Sequence, residues 1–255
     1  MSDHAKAGPS GALGEILEIG RTVLYALAIA LFLRVLFFQP FTIPSASMEP
    51  NLYEGDYIIV SKFSYGYSRH SAPFSPPLFK GRVMEKQPRR GDVVVFKLPS
   101  DGRTDYIKRV IGLPGDRIQM QGGLLYLNGV QIKRTPAGTG ETDTGYGIRE
   151  VGRFQETMPD GRTYMTDDYG TDGDLDDTPV YVVPEGHYFM MGDNRDNSLD
   201  SRVAPEAGGV GFVPAENLVG RAQIILLSWS PGASLFKPWT WILNARPSRF
   251  AEVLK

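Results

Sequence analysis

Residues 23–38, VLYALAIALFLRVLFF, form a nearly unbroken apolar run interrupted only by Arg34, and Ile16, Leu17 and Ile19 extend it upstream. A helix needs about 20 mostly apolar residues to cross a bilayer, so the pattern predicts one spanning anchor over residues 21–39. Arg34 lies near one end, from which its long stem can reach the interface. A buried core helix fits poorly, because the run is long and apolar on every face. A cleaved leader fits poorly too, because the run is long for that role and ends in Gln39-Pro40 rather than a small-x-small site. An interfacial helix would need a polar face that is missing. Lys6 and Arg21 precede the run, whereas no Lys or Arg lies between Gln39 and Ser61. The positive-inside rule therefore places residues 1–20 in the cytoplasm and the rest outside.

Beyond Ile43 the period changes. Short β-branched or aromatic runs are punctuated by Gly, Pro and Asp: YIIV (57–60), DVVVFKL (92–98), DYIKRVIGL (105–113), RIQM (117–120), LLYLNG (124–129), VYVV (180–183), HYFMMG (187–192) and AQIILLSW (222–229). Asn128-Gly129 between two such runs is a hairpin signal. These runs predict a mainly β domain with coil-rich excursions. Residues 64–90 and 135–178 read as surface insertions, the second with acidic residues far outnumbering basic ones. The stretch from Asp172 to Asp177 is a poor calcium loop, since the sixth and twelfth positions that should be Gly and Glu are Asp177 and Val183. Residues 228–243 carry Trp229, Trp239 and Trp241, which suit either a membrane interface or ordinary packing.

Composition narrows the chemistry. The 255-residue chain has a net charge of −2, no cysteine and three histidines. The charge gives no reason to expect a nucleic-acid partner. Disulfides, thiolate metal sites and a cysteine nucleophile are excluded. His4, His70 and His187 are far apart in sequence and show no zinc-ligand spacing, so no metal or other cofactor is expected.

Three polar segments carry candidate chemistry. Pro44-Ser-Ala-Ser-Met-Glu-Pro50 follows the anchor directly. Its flanking prolines restrict the backbone and stop the helix, which leaves a rigid turn bearing Ser45 and Ser47 beside the membrane; such turns are also common linkers. In DYIKRVIGLPGD (105–116), strand alternation puts Tyr106, Lys108 and Val110 on one face and Ile107, Arg109 and Ile111 on the other. If the Lys108 face is packed, burial lowers the amine's pKa from about 10.4 toward the range near 7–8 that suits a base at neutral pH. That shift of ~3 units is worth ~4 kcal/mol, and a neutral lysine can accept a serine proton. An exposed strand lysine is the plain alternative. GDNRDNSLDSR (192–202) is either a solvated loop or an ion-pair lattice of Asp193, Arg195, Asp196, Asp200 and Arg202.

Together these segments resemble one family, the bacterial type I signal peptidases. PSASMEPNL (44–52) with GDYIIV (55–60) resembles its nucleophile box. RGDVVVFKLP (90–99) with DYIKRVIGLPGD resembles its lysine box. GDNRDNSLDSR with GFVP (211–214) and NLVGRA (217–222) resembles its C-terminal box. The resemblance implies that Ser47 is the nucleophile and Lys108 its general base. Ser45 and the Ser47 N–H would form the oxyanion hole. Ser198 would orient the lysine, and Asp200 and Arg202 would support it as an ion pair. Phe41, Ile43, Ile58, Val95, Tyr106 and Ile107 would wall the shallow substrate pockets. It also implies coiled antiparallel sheets, with a catalytic domain of residues 40–113 and 186–255 and an inserted β subdomain of residues 114–185. The substrates would be signal peptides of exported pre-proteins, cut after an Ala-x-Ala-like site beside the secretion translocon. The enzyme would be a single-pass protein among plasma-membrane lipids, with its catalytic domain on the extracytoplasmic side. His187 gets no role, and VAPEAGG (203–209) reads as an insertion behind the Asp200–Arg202 pair.

Overall fold

The computed structural model describes residues 10–77, 79–232, 237 and 239–254. Helix α1 spans Ser10–Leu36. Its apolar portion, Gly14–Leu36, is 23 residues long and is not buried against the rest of the chain. At 1.5 Å per residue that is about 34 Å, enough for a hydrocarbon core of ~30 Å. The helix stops short of the end of the apolar run, and Phe38–Thr42 forms strand β1 instead. Pro40 explains the change: it cannot donate within a helix interior, and an edge strand tolerates it.

The remaining strands are β2 (Asp56–Ser61), β3 (Val93–Lys97), β4 (Asp105–Gly112), β5 (Arg117–Gln121), β6 (Leu124–Leu127), β7 (Val130–Gln131) and β8 (Lys133–Asp143). They continue with β9 (Ile148–Thr157), β10 (Thr163–Asp168), β11 (Tyr181–Val182), β12 (His187–Met191), β13 (Val213–Pro214), β14 (Leu218–Ser228) and β15 (Glu252–Val253). The main sheet runs β1-β2-β14-β3-β4-β12-β13, with β15 added to β14. Its pairings are antiparallel, and β14 shifts register at several points. Such bulges bend a strand and add twist, which curls this sheet. The architecture is therefore mainly β with one N-terminal helix, as the pattern of short runs predicts.

Strand β3 shows how the sheet is held. Val93 and Val95 join the apolar cluster that contains Ile43, Met48 and Ile58. Val94 and Phe96 join a second cluster with Val110, Tyr188 and Met190. Alternate side chains of one strand thus enter separate cores, so a slip of one residue would exchange them. A third cluster joins Ile111, Phe189 and Met191 of the main sheet to Ile118, Leu125 and Leu127. The latter residues belong to a four-stranded sheet ordered β11-β5-β6-β7. Asn128 and Gly129 both have positive φ (55° and 80°) in the tight turn between β6 and β7, as a two-residue hairpin requires.

Residues 135–178 differ most from the sequence expectation of a coil. They contain most of a three-stranded meander, β8-β9-β10. Its acidic residues are not all solvated: Glu156, Asp167 and Asp168 are buried and pair with Arg195, Arg153 and Arg134 respectively. Arginines brought opposite these carboxylates by the fold, Arg134 and Arg153 from other strands of the same sheet and Arg195 from the loop after β12, make these strands possible. The segment 172–177 is a turn whose carboxylates accept backbone N–H groups, Asp176 from Gly173 and Asp177 from Gly122. In the tryptophan-rich stretch, Trp229 packs edge-on against Tyr57, whereas Trp239, Ile242 and Leu243 stay exposed.

Candidate active site

Ser47 lies in a single 3-10 turn, Ala46–Met48, entered through extended Ser45. Met48 and Leu52 are fully buried and anchor the turn in the core, so Ser47 itself remains half-buried at the surface of a cleft. The turn is also held from the far side by the loop that follows β12. The Asn194 backbone N–H donates to Ser47 O at 3.2 Å, and Asn194 Nδ2 donates to Ala46 O at 3.2 Å. Gly192 must be small for the same reason. A Cβ there would sit 2.5 Å from Ser47 O and would collide with Ser198 Oγ.

Lys108 comes from β4, between β3 and β12. It is 3% exposed, and its Nζ is hydrogen bonded to Ser47 Oγ at 2.5 Å. Burial lowers the amine's pKa to about 8; the Asp200 and Asp193 carboxylates oppose that fall, and Arg202 adds to it. The next residue, Arg109, is equally buried but has a carboxylate partner: two guanidinium nitrogens donate to Asp193 at 2.7 Å. The charge on Arg109 is thereby matched, while Lys108 has a hydroxyl as its close partner. Adjacent cations on one strand thus have opposite fates, one fixed as an ion pair and one made easy to deprotonate.

The same cleft, about 870 Å³, is lined by Ser45, Ser47, Tyr106, Ile107, Lys108 and Ser198, among others. Ser45 Oγ lies 3.4 Å from Ser47 Oγ. Ser198 Oγ is buried and makes no hydrogen bond among the described residues, so the contact to Lys108 implied by the resemblance is not formed here. Asp200 and Arg202 form a buried two-bond ion pair, with both distances 2.9 Å. Of the expected pocket walls, Tyr106 and Ile107 face the cleft. Ile43, Ile58 and Val95 are buried in the core beneath, with Phe41 and Ile107 packed on them; they support a floor more than they form a wall.

The 192–202 loop is a set of buried anchors rather than a lattice closed on itself. Asp193 pairs with Arg109, Arg195 with Glu156, and only Asp200–Arg202 is internal. Asp196 makes no ion pair among the described residues and accepts the Tyr169 N–H at 2.6 Å. Residues not singled out from sequence matter as much. Asn194, Gly192 and Thr142 position the turn, the last by donating to Glu49 Oε2 at 2.6 Å and accepting from Asn194 Nδ2 at 2.9 Å. The density of Asn and Asp beside Gly192 is the sequence signal for the first two, and nothing local marks Thr142.

A buried lysine amine bonded to a turn serine in an open cleft defines the class of serine hydrolases that use lysine in place of histidine. The comparisons are more specific. The family described as "Signal peptidase, peptidase S26" matches residues 16–229. The signal peptidase I of Rickettsia typhi is 47% identical over 249 residues, covering 90% of each chain. That of Rickettsia felis is 45% identical over 218 residues, covering 80% of this chain and 77% of its own. A signal peptidase I crystal structure from Enterococcus faecalis V583 is 28% identical, covers 53% of this chain and 97% of its own, and gives a TM-score of 0.31. The chain belongs to the signal peptidase family, peptidase S26.

Proposed function

We propose that this membrane-anchored chain works as a signal peptidase I that uses Ser47 as nucleophile and Lys108 as general base. The observation that carries this is the 2.5 Å contact between Ser47 Oγ and a lysine amine that burial holds near pKa 8. Neutral Lys108 takes the Ser47 proton as Oγ attacks the scissile carbonyl. The tetrahedral oxyanion is received by the Ser47 N–H and the Ser45 hydroxyl. The lysine ammonium then gives its proton to the departing α-amine of the mature protein. Water, activated by the same amine, hydrolyses the acyl ester and restores the serine. Asp200–Arg202 keeps the loop behind Lys108 in place, and Ser198 lies on the same wall of the cleft. The inserted strands of residues 114–185 brace the site through Thr142 and Glu156 without contributing a reacting group.

Recognition of the substrate follows from the sheet. Strand β12 pairs with β4 only from Arg109 onward, so the Asp105–Lys108 edge borders the cleft. An extended signal-peptide segment adds along this edge by backbone hydrogen bonds. Tyr106 and Ile107, floored by Phe41, Ile43, Ile58 and Val95, leave room only for small side chains, which gives the small-x-small preference. The anchor holds the site against the membrane from which signal peptides emerge, next to the translocon and, by the positive-inside rule, on its outer face.

The test uses purified protein in detergent with a pre-protein. Ser47→Ala and Lys108→Met are expected to lose about 10⁴-fold or more in rate; substantial cleavage by either removes that residue from its role. Protease added to intact spheroplasts should digest the region after Phe38, and protection of that region would reverse the orientation.

A further inference from the structure

We propose that the end of α1 and the coil packed beside it form a binding site for the phosphate of an anionic phospholipid headgroup. A cavity of about 320 Å³ opens next to the last turn of the helix, lined by Arg34, Gln39, His70, Ser75, Lys97 and Asp105 among others. It adjoins the Ser47–Lys108 cleft at Asp105, which lines both, but holds neither Ser47 nor Lys108. Arg34 is exposed, interrupts the apolar run, and has no hydrogen bond or ion pair among the described residues. A guanidinium at the edge of a hydrocarbon layer reaches up to headgroup level, where a lipid anion can meet it.

The neighbouring groups suit a phosphate diester. His70 is held neutral, its pKa lowered to about 4 by burial first and by the charge of Arg69 next. Arg69 Nε donates to His70 Nε2 at 3.3 Å, which leaves Nδ1 protonated to donate to Ser75 Oγ at 2.8 Å. The Ser75 hydroxyl hydrogen is then free to point into the cavity. Lys97 spends two donors on Asp105 (2.9 Å) and Arg103 O (2.7 Å), which leaves a third. Asp105 offsets the charge of Lys97, so Arg34 is the unmatched cation and the site takes a single negative charge. The buried Lys62 amine below senses the same field: after desolvation, the charge of Arg34 is the largest cause lowering its pKa, to about 8.

The placement selects a lipid over a free anion. The cavity sits where the spanning helix ends. Its lining also includes Leu31 of the helix and the fully exposed Phe74, which offer apolar contact to acyl chains. The Tyr67 hydroxyl donates to Leu36 O at 2.8 Å and ties the helix end to the domain, so the cavity cannot drift from headgroup level. Arginine is also the cation best shaped for a phosphate.

The experiment is native mass spectrometry of the full-length protein released from vesicles of phosphatidylglycerol and phosphatidylcholine. Wild type is expected to retain one phosphatidylglycerol in preference to phosphatidylcholine. Arg34→Gln should lower that affinity about tenfold, with Arg34→Lys in between. Ser75→Ala, which leaves the helix untouched, should lower it by a smaller factor and keeps the proposal testable if Arg34→Gln inserts poorly. Wild-type retention by both Arg34→Gln and Ser75→Ala overturns the proposal. Equal retention of phosphatidylcholine also overturns it, as does displacement of the lipid by inorganic phosphate alone, which would make this a free-anion site. The inference rests on the membrane anchor and not on the dyad, so cleavage of a soluble peptide in detergent should be unchanged in these variants.

Discussion

At the scale of the residue, the activity should follow the protonation of one amine. Lys108 acts as a base only when neutral, and its pKa lies near 8. The rate of peptide cleavage in detergent should therefore rise with pH and level off above about 8, the reverse of a group that must be protonated. Lys108→Arg preserves the charge but cannot deprotonate in this range, and it should be as inactive as Lys108→Met. Asp200 gives a finer test. Its carboxylate raises the lysine pKa, so Asp200→Asn should move the rising limb of the pH–rate profile to lower pH. The same variant leaves Arg202 buried without its partner and should lose about 3–5 kcal/mol of stability in denaturant melts. An unmoved limb in the folded variant would separate Asp200 from the dyad electrostatically. Strand alternation already set Lys108 and Arg109 on opposite faces, but it could not say which face was packed. In the event both are buried. The difference lies in Asp193, which reaches Arg109 from a loop far along the chain. Long-range pairing of that kind leaves no local trace in a sequence.

At the scale of the element, the nucleophile turn and the loop after β12 act as one unit. Asn194 fastens Ala46 and Ser47 through two hydrogen bonds, and Gly192 leaves the space in which they meet. Asn194→Ala keeps the backbone bond but frees Ala46 O. It should lower kcat with KM little changed, because the proposed substrate edge at Asp105–Lys108 is untouched. Gly192→Ala places a methyl against Ser47 O and Ser198. It should cost both activity and stability, a loss visible as a lower denaturation midpoint. Strand positions were readable because each buried run is short, β-branched and bounded by Gly, Pro or Asp. The β8–β10 meander was not, because its strands carry Gly, Thr and acidic residues that read as coil. Glu156 illustrates why: it is stable inside only because Arg195 donates to it twice and Tyr164 once. Those partners stand on another strand and in the loop after β12, so the strand's stability is a property of the assembled fold. Ser198 marks a different limit, since the family motif implied a contact to lysine that its position here does not make.

At the scale of the whole molecule, the question is what the anchor adds to a site that is chemically complete without it. The Ser47–Lys108 pair, the proposed oxyanion donors and the open edge of β4 all belong to residues after α1. The helix adds no reacting group, and its contribution is location. Tyr67 and the Phe37–Phe63 contact hold its end against the domain, so the cleft stays close to the bilayer surface. A substrate whose signal peptide already spans or lies in that bilayer is thereby held in the same thin layer, which raises its effective concentration without any added contact. A chain lacking residues 1–36 should therefore cleave a short soluble peptide with kcat/KM close to that of the intact protein. It should cleave a pre-protein inserted in vesicles roughly 10²-fold more slowly. Comparing the two substrates controls for loss of folding, which would depress both equally. If the truncated chain processed the inserted pre-protein as fast as the intact one, co-localisation would have no part in the reaction. The anchor would then serve only to keep the enzyme in its compartment.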